Sequence, residues 1–122
     1  IGLAILAYLP KDKQSRVLAL KPRVKLTPRT VTDLKEIHAR LAKVRRAGYI
    51  VVDQAITTGL RALAAPVLDP DGYPIAAVSV VAPSLRMPLE RFLKVALGPV
   101  QDAARTISKA MQAGGAIAQQ AA

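Results

Sequence analysis

Apolar residues recur with a helical period in the middle of the first half of this chain. Leu34, Ile37, Leu41 and Val44 share one face, and Lys, Arg and Glu fill most of the remainder. Asp33 and Glu36 stand at capping-box spacing and Ala47-Gly48 supplies the stop, so the pattern predicts a helix from Asp33 to Ala47. Upstream, Ile1 to Leu9 is continuously apolar and is closed by Pro10. It is too rich in Ala and Leu for a strand and reads as a buried helix. Lys11 to Leu20 follows as a short helix with Val17, Leu18 and Leu20 on its apolar side, stopped by Lys21-Pro22.

The period then changes. Tyr49–Val52, Leu60–Leu68 and Tyr73–Val81 are β-branched or aliphatic runs and predict three strands. Asp69-Pro70-Asp71-Gly72 is the turn between the last two. Pro88 opens a final helix whose apolar stripe is Leu89, Leu93, Ala96, Val100, Ala103, Ile107 and Met111, with a kink or break expected at Gly98-Pro99. The last ten residues, 113–122, are mainly Ala, Gly and Gln and are expected to form a disordered tail. Helices, three closely connected strands and a long helix define an α+β class: an antiparallel sheet packed with helices.

One hydroxyl interrupts the aliphatic third strand, at Ser79. It is either buried filler or a ligand contact, and the hairpin register bears on which. If Leu68 pairs with Tyr73, Ala62 lies opposite Ser79. The small residues Ala62, Ala64, Ala77 and Ser79 then share a face, and Leu63, Val67, Val78 and Val80 form the bulky face that would pack on the long helix. A type I turn with a G1 bulge would instead pair Asp69 with Tyr73 and swap the faces of the first strand. Both registers satisfy the sequence.

Composition narrows the possibilities. At 122 residues with 52% hydrophobic positions the chain suits one packed domain, and with one Phe, three Tyr and no Trp the core must be aliphatic. No stretch is long and apolar enough for a membrane span, no signal peptide is visible, and the absence of Cys fits a cytoplasmic protein. The chain opens on Ile1 inside an apolar run and reads as a fragment. Net charge is +10, and residues 11–46 hold twelve of the eighteen Lys/Arg against only Asp12, Asp33 and Glu36. That segment is either a set of solvated helix faces or a stand-alone basic nucleic-acid-binding module, although no aromatic residues interleave with it for base stacking.

Enzymatic constellations are missing. His38 is the only histidine and sits on the capped helix without a carboxylate at i±4; no serine has a G-x-S-x-G context; no G-x-G-x-x-G or P-loop occurs. The acidic residues are too dispersed for a metal site, so neither metal nor cofactor is expected, and the chain is expected not to be an enzyme. Arg61 could meet a ligand carboxylate or form a structural ion pair with Asp53.

The stretch "VRRAGYIVVDQAITTGLRALAAPVLDPDGYPIAAVSVVAP", Val44 to Pro83, resembles the effector-binding domain of IclR-family bacterial transcriptional regulators. The resemblance rests on R-x-x-G-Y, an acidic segment, G-L-R-x-L-A-x-P-V, a turn and a strand of the A-A-[L/I]-S type. "GLAILAYLP" and "LTPRTVTD" match the family's preceding helix and loop, and the likeness covers residues 1–112. It is most similar to the branch regulating aromatic-acid catabolism, including β-ketoadipate pathway regulators.

The resemblance implies a GAF-like effector domain that binds a small organic acid and self-associates as a dimer or tetramer. It would report to DNA through an N-terminal winged helix-turn-helix absent from this chain, as is the start of the effector domain. The implied ligand contacts fall on the backbone of Ile1 beside Gly2, on Val52 and Asp53, and on Ala62, Ser79 and Val81. Ala55, Ala62 and Val81 stand where family members often carry polar side chains. The implied effector is therefore larger or more apolar than the smallest hydrophilic acids, with an aromatic acid the favoured candidate.

Overall fold

The computed structural model describes residues 1–20 and 22–121, with side chains as far as Gly114. Helices α1 (Gly2–Leu6), α2 (Lys11–Ala19) and α3 (Leu34–Ala47) precede strands β1 (Ile50–Asp53), β2 (Leu60–Leu68) and β3 (Pro74–Pro83), and α4 (Leu89–Ala121) closes the order. The strands pair antiparallel in the order β1-β2-β3. The α+β class holds, with β2 at its expected bounds and the ends of β1 and β3 one or two residues from those expected.

Helix α3 forms as its sequence demands. The Asp33 carboxylate accepts the Glu36 N–H at 2.9 Å, Ile37, Leu41 and Val44 are buried, and Gly48 takes the left-handed conformation (φ 84°) at the C-terminal stop. Helix α1 is shorter than the apolar run suggested, because Pro10 ends the segment and the chain turns at Ala7–Leu9. Helix α2 is held differently from expectation. Val17 and Leu20 are exposed, and the buried residue is Gln14. Its Nε2 donates to the carbonyls of Leu6, Ala7 and Leu9 at 3.0–3.3 Å, supplying partners to carbonyls freed at the end of α1. Of the expected apolar side only Leu18 packs on the core, and the buried Gln14 adds a polar anchor.

The hairpin combines the two registers considered. At the turn, Asp69 N–H donates to the Tyr73 carbonyl at 2.9 Å and Gly72 has φ 80°, which is the bulged pairing. The Asp69 carboxylate also accepts the N–H groups of Asp71 and Tyr73, so it organises the turn. A second shift then falls between Val67 and Leu68. Beyond it Ala64 lies opposite Ser79 and Ala62 opposite Val81, so the expected Ala62–Ser79 pairing is displaced by two residues. Two one-residue offsets add to two, and a shift of two leaves every side chain on its original face. The Leu68 N–H at the irregularity is taken up by Ser108 Oγ of α4 at 3.0 Å, and that hydroxyl donates in turn to the Ala104 carbonyl at 2.8 Å.

The sheet therefore has the two faces the alternation implied. Leu63, Ala65 and Val67 pack against Phe92, Ala96, Val100 and Ala104 of α4. Burying Phe92 alone contributes roughly 1.5–3 kcal/mol. Ile50 and Ala64 on the other face pack with α1 (Ala4, Leu6, Ala7) and α3 (Ile37, Leu41, Val44), with Val52 and Ala77 at the margin.

Two expectations about α4 are corrected. The buried stripe runs through Phe92, Ala96, Val100 and Ala104, and Ile107 and Met111 are exposed. The helix also continues through Pro99 without a break. Pro99 and Val95, whose carbonyl loses its donor, both face solvent, and Gly98 has no Cβ to meet the proline ring. Helix α4 extends over 113–121, within the stretch for which a disordered tail is expected from composition, and Ala122 lies outside the described residues.

Candidate functional site

The side of the sheet that faces α1 and α3 opens into a cavity of about 590 Å³ between α1, α3, the start of the β1–β2 connection and the segment preceding α3. Helix α1 contributes Ile1 at its N-cap, then Gly2, Ile5 and Leu6, and Leu9 follows from the turn after it; α3 contributes Ile37, Leu41 and Arg40; β1 contributes Val52; and Leu26, Thr30, Val31, Ala55 and Ile56 close the rim. Small-molecule sites commonly have this volume and a mostly apolar lining with few polar groups. Two of the lining residues, Thr30 and Arg40, have polar side chains, and Thr30 Oγ1 donates to the Ala55 carbonyl.

Of the seven residues singled out from the sequence, Ile1, Gly2 and Val52 line this cavity. Ala62 and Val81 continue from Val52 as one row across the sheet, because Val52 pairs with Ala62 and Ala62 with Val81. Ser79 stands in the next row beyond Ile50 and Ala64. It is half-buried, and its hydroxyl has no hydrogen-bond partner among the described residues. These three therefore form a shelf beside the cavity, open to solvent at Val81 (59% exposed).

Asp53 is placed elsewhere. Its carboxylate accepts Arg61 Nε at 2.8 Å through Oδ1 and Arg29 Nη1 at 2.5 Å through Oδ2. Burial pushes its pKa up, but hydrogen bonds from Arg61 and Gln54 and the charges of Arg61 and Arg29 outweigh that, and the net shift is downward. Arg61 is likewise occupied. Its Nη1 donates to the carbonyls of Ser84 and Met87, tying β2 to the approach of α4, so it is the structural ion pair of the two alternatives. No group of three or more potential metal-ligating side chains assembles among the described residues.

The segment Thr27-Pro28-Arg29-Thr30, read from sequence only as a loop, fixes the cavity's rim. Thr27 Oγ1 donates to the Gln54 carbonyl at 2.7 Å, Thr27 N–H donates to Thr30 Oγ1, and Arg29 holds Asp53. Gln54 itself has φ 59°, and its side-chain oxygen accepts the Gly59 N–H at 3.0 Å. The i, i+3 threonine pair was the available signal for such a turn. Nothing in the linear pattern tied it to β1, 25 residues away.

A three-stranded antiparallel sheet covered by α4 on one side and α1 and α3 on the other, with a cavity beside α1, defines a GAF-like α+β domain. The chain matches the family model described as "Bacterial transcriptional regulator IclR C-terminal" over residues 1–109, and it belongs to that family. The HTH-type transcriptional repressor AllR of Klebsiella pneumoniae is 33% identical over 111 residues, covering 90% of this chain and 40% of that protein. Among solved structures, the C-terminal domain of the Escherichia coli transcriptional regulator KdgR superposes with a TM-score of 0.84 at 34% identity, covering 92% of this chain and 68% of that one. A double mutant of the PobR inducer-binding domain from Acinetobacter, in complex with 3-hydroxybenzoic acid, gives a TM-score of 0.82 at 25% identity, covering 88% of this chain and 63% of that one. The chain thus spans about two fifths of the length of the curated AllR and KdgR proteins it matches. Membership in a family of regulators places it outside the enzymes.

Proposed function

We propose that this chain is the ligand-sensing domain of a bacterial transcriptional regulator of the cytoplasm. It would bind a small organic acid and thereby modulate DNA binding by a winged helix-turn-helix N-terminal to it in the full protein, working as a dimer or tetramer. The observation that carries the reading is the apolar cavity bounded by Ile1, Gly2 and Val52 and continued by the shelf of Ala62, Ser79 and Val81. Ligand binding would favour one arrangement of sheet and helices over another, and so shift the population of DNA-competent molecules.

An aromatic acid is the favoured effector class. The volume exceeds what a two-carbon acid fills, the lining is largely aliphatic, and a double mutant of the PobR inducer-binding domain is known in complex with 3-hydroxybenzoic acid. Ser79 would give or take one hydrogen bond at the edge of the ligand. Calorimetric titration should show 3-hydroxybenzoate binding well ahead of glyoxylate, and Ser79→Ala should weaken it by roughly fivefold, the equivalent of one modest hydrogen bond. Equal affinity for the two acids would overturn the aromatic reading.

A further inference from the structure

Arg40 is the one charged side chain in the lining of the cavity. It sits on α3 between the buried Ile37 and Leu41, is half-buried itself, and forms no ion pair among the described residues. The other polar side chain of the lining, Thr30, is committed to the Ala55 carbonyl. A guanidinium partly withdrawn from water beside an aliphatic wall gains most from a carboxylate, whose two oxygens match its planar fork. We infer that Arg40 is the anion anchor of this cavity, and that the ligand it selects is a monocarboxylic acid with an aliphatic or aromatic body. The inference rests on the reading of the domain as an acid sensor and adds the residue that recognises the acid. The apolar body fills the space between α1 and α3, and the carboxylate lies at the α3 wall. Arg40 also borders a smaller depression of about 260 Å³ shared with Lys43 and Tyr49, which gives the test its control.

The experiment is isothermal titration calorimetry with 3-hydroxybenzoate, its neutral analogue 3-hydroxybenzamide, and octanoate. The proteins are the wild type, Arg40→Met, Arg40→Lys and Lys43→Met, each checked for native helicity by far-ultraviolet circular dichroism. At least one acid should lose tenfold or more in Arg40→Met while the amide is unaffected. Arg40→Lys should fall between, because an ammonium keeps the charge without the fork, and Lys43→Met should match wild type. If Arg40→Met weakens acid and amide equally, or not at all, Arg40 is a packing or solvated side chain and the inference is overturned. Loss in Lys43→Met alone would put the anion in the neighbouring depression and overturn it as well. Octanoate binding that depends on Arg40, without binding of 3-hydroxybenzoate, would sustain the anchor and remove the aromatic effector. Binding of neither acid would remove both.

Discussion

Asp53 shows how one carboxylate can be held by two neighbouring arginines. Its carboxylate is shared between Arg29 and Arg61, and Arg61 goes on to the carbonyls of Ser84 and Met87. Because these partners favour the charged form, the folded-state pKa lies below the unfolded value of about 3.9. The contribution of Asp53 to stability is then present above that value and disappears as pH falls through the folded pKa. Urea unfolding of wild type and Asp53→Asn should therefore differ most near neutral pH and converge in the acid range. A difference that grows below about pH 4 would contradict the assignment. The sequence put Asp53 among the ligand contacts by resemblance, yet also offered Arg61 as its ion-pair partner. The pairing of β1 with β2 brings those two side chains face to face.

Among the elements, the β2–β3 hairpin and α4 depend on each other. The irregularity between Val67 and Leu68 leaves a backbone N–H to be satisfied, and Ser108 reaches it from the long helix. Ser108→Ala should cost about 1–2 kcal/mol in chemical denaturation, since it removes the partner of a partly buried amide. Ser108→Thr, which keeps the hydroxyl, should recover part of that. A neutral alanine variant would mean that water satisfies the amide instead. Ser108 carried no signal in the sequence, because the need for it arises only where two offsets in a hairpin meet a helix turn 40 residues later. The capped α3, by contrast, was legible at both ends and over Ile37, Leu41 and Val44, since cap, apolar face and terminal glycine act within 15 residues, although Leu34 at its start is exposed.

For the molecule as a whole, the distribution of charge separates two ways of meeting DNA. Of the eleven described basic residues in 11–46, Arg29 alone is in an ion pair, and the others are dispersed over α2, α3 and the segment between them. Scattered Lys and Arg without stacking aromatics attract phosphate only through long-range charge. In a mobility-shift assay this chain alone should bind DNA weakly, with the complex lost as salt is raised from 50 to 200 mM. Sequence-selective binding that survives the higher salt would instead establish the basic segment as a nucleic-acid-binding module in its own right.

The linear order of residues determined the helix-to-strand succession, the ends of α3, the turn at Asp69–Gly72 and the division of the sheet into a small and a bulky face. Each of these follows from contacts or torsions within a few residues, or from the two-residue alternation of a strand. Tertiary structure alone decided which stripe of α4 is buried, and that Gln14 joins Leu18 in holding α2. It also decided that the Thr27–Thr30 turn closes onto β1, and that Arg40 stands at the wall of a cavity beside Ile1, Gly2 and Val52. Those outcomes depend on how separate elements fit in space. Helical period names a face, but only the packing partner selects which of two adjacent stripes is covered.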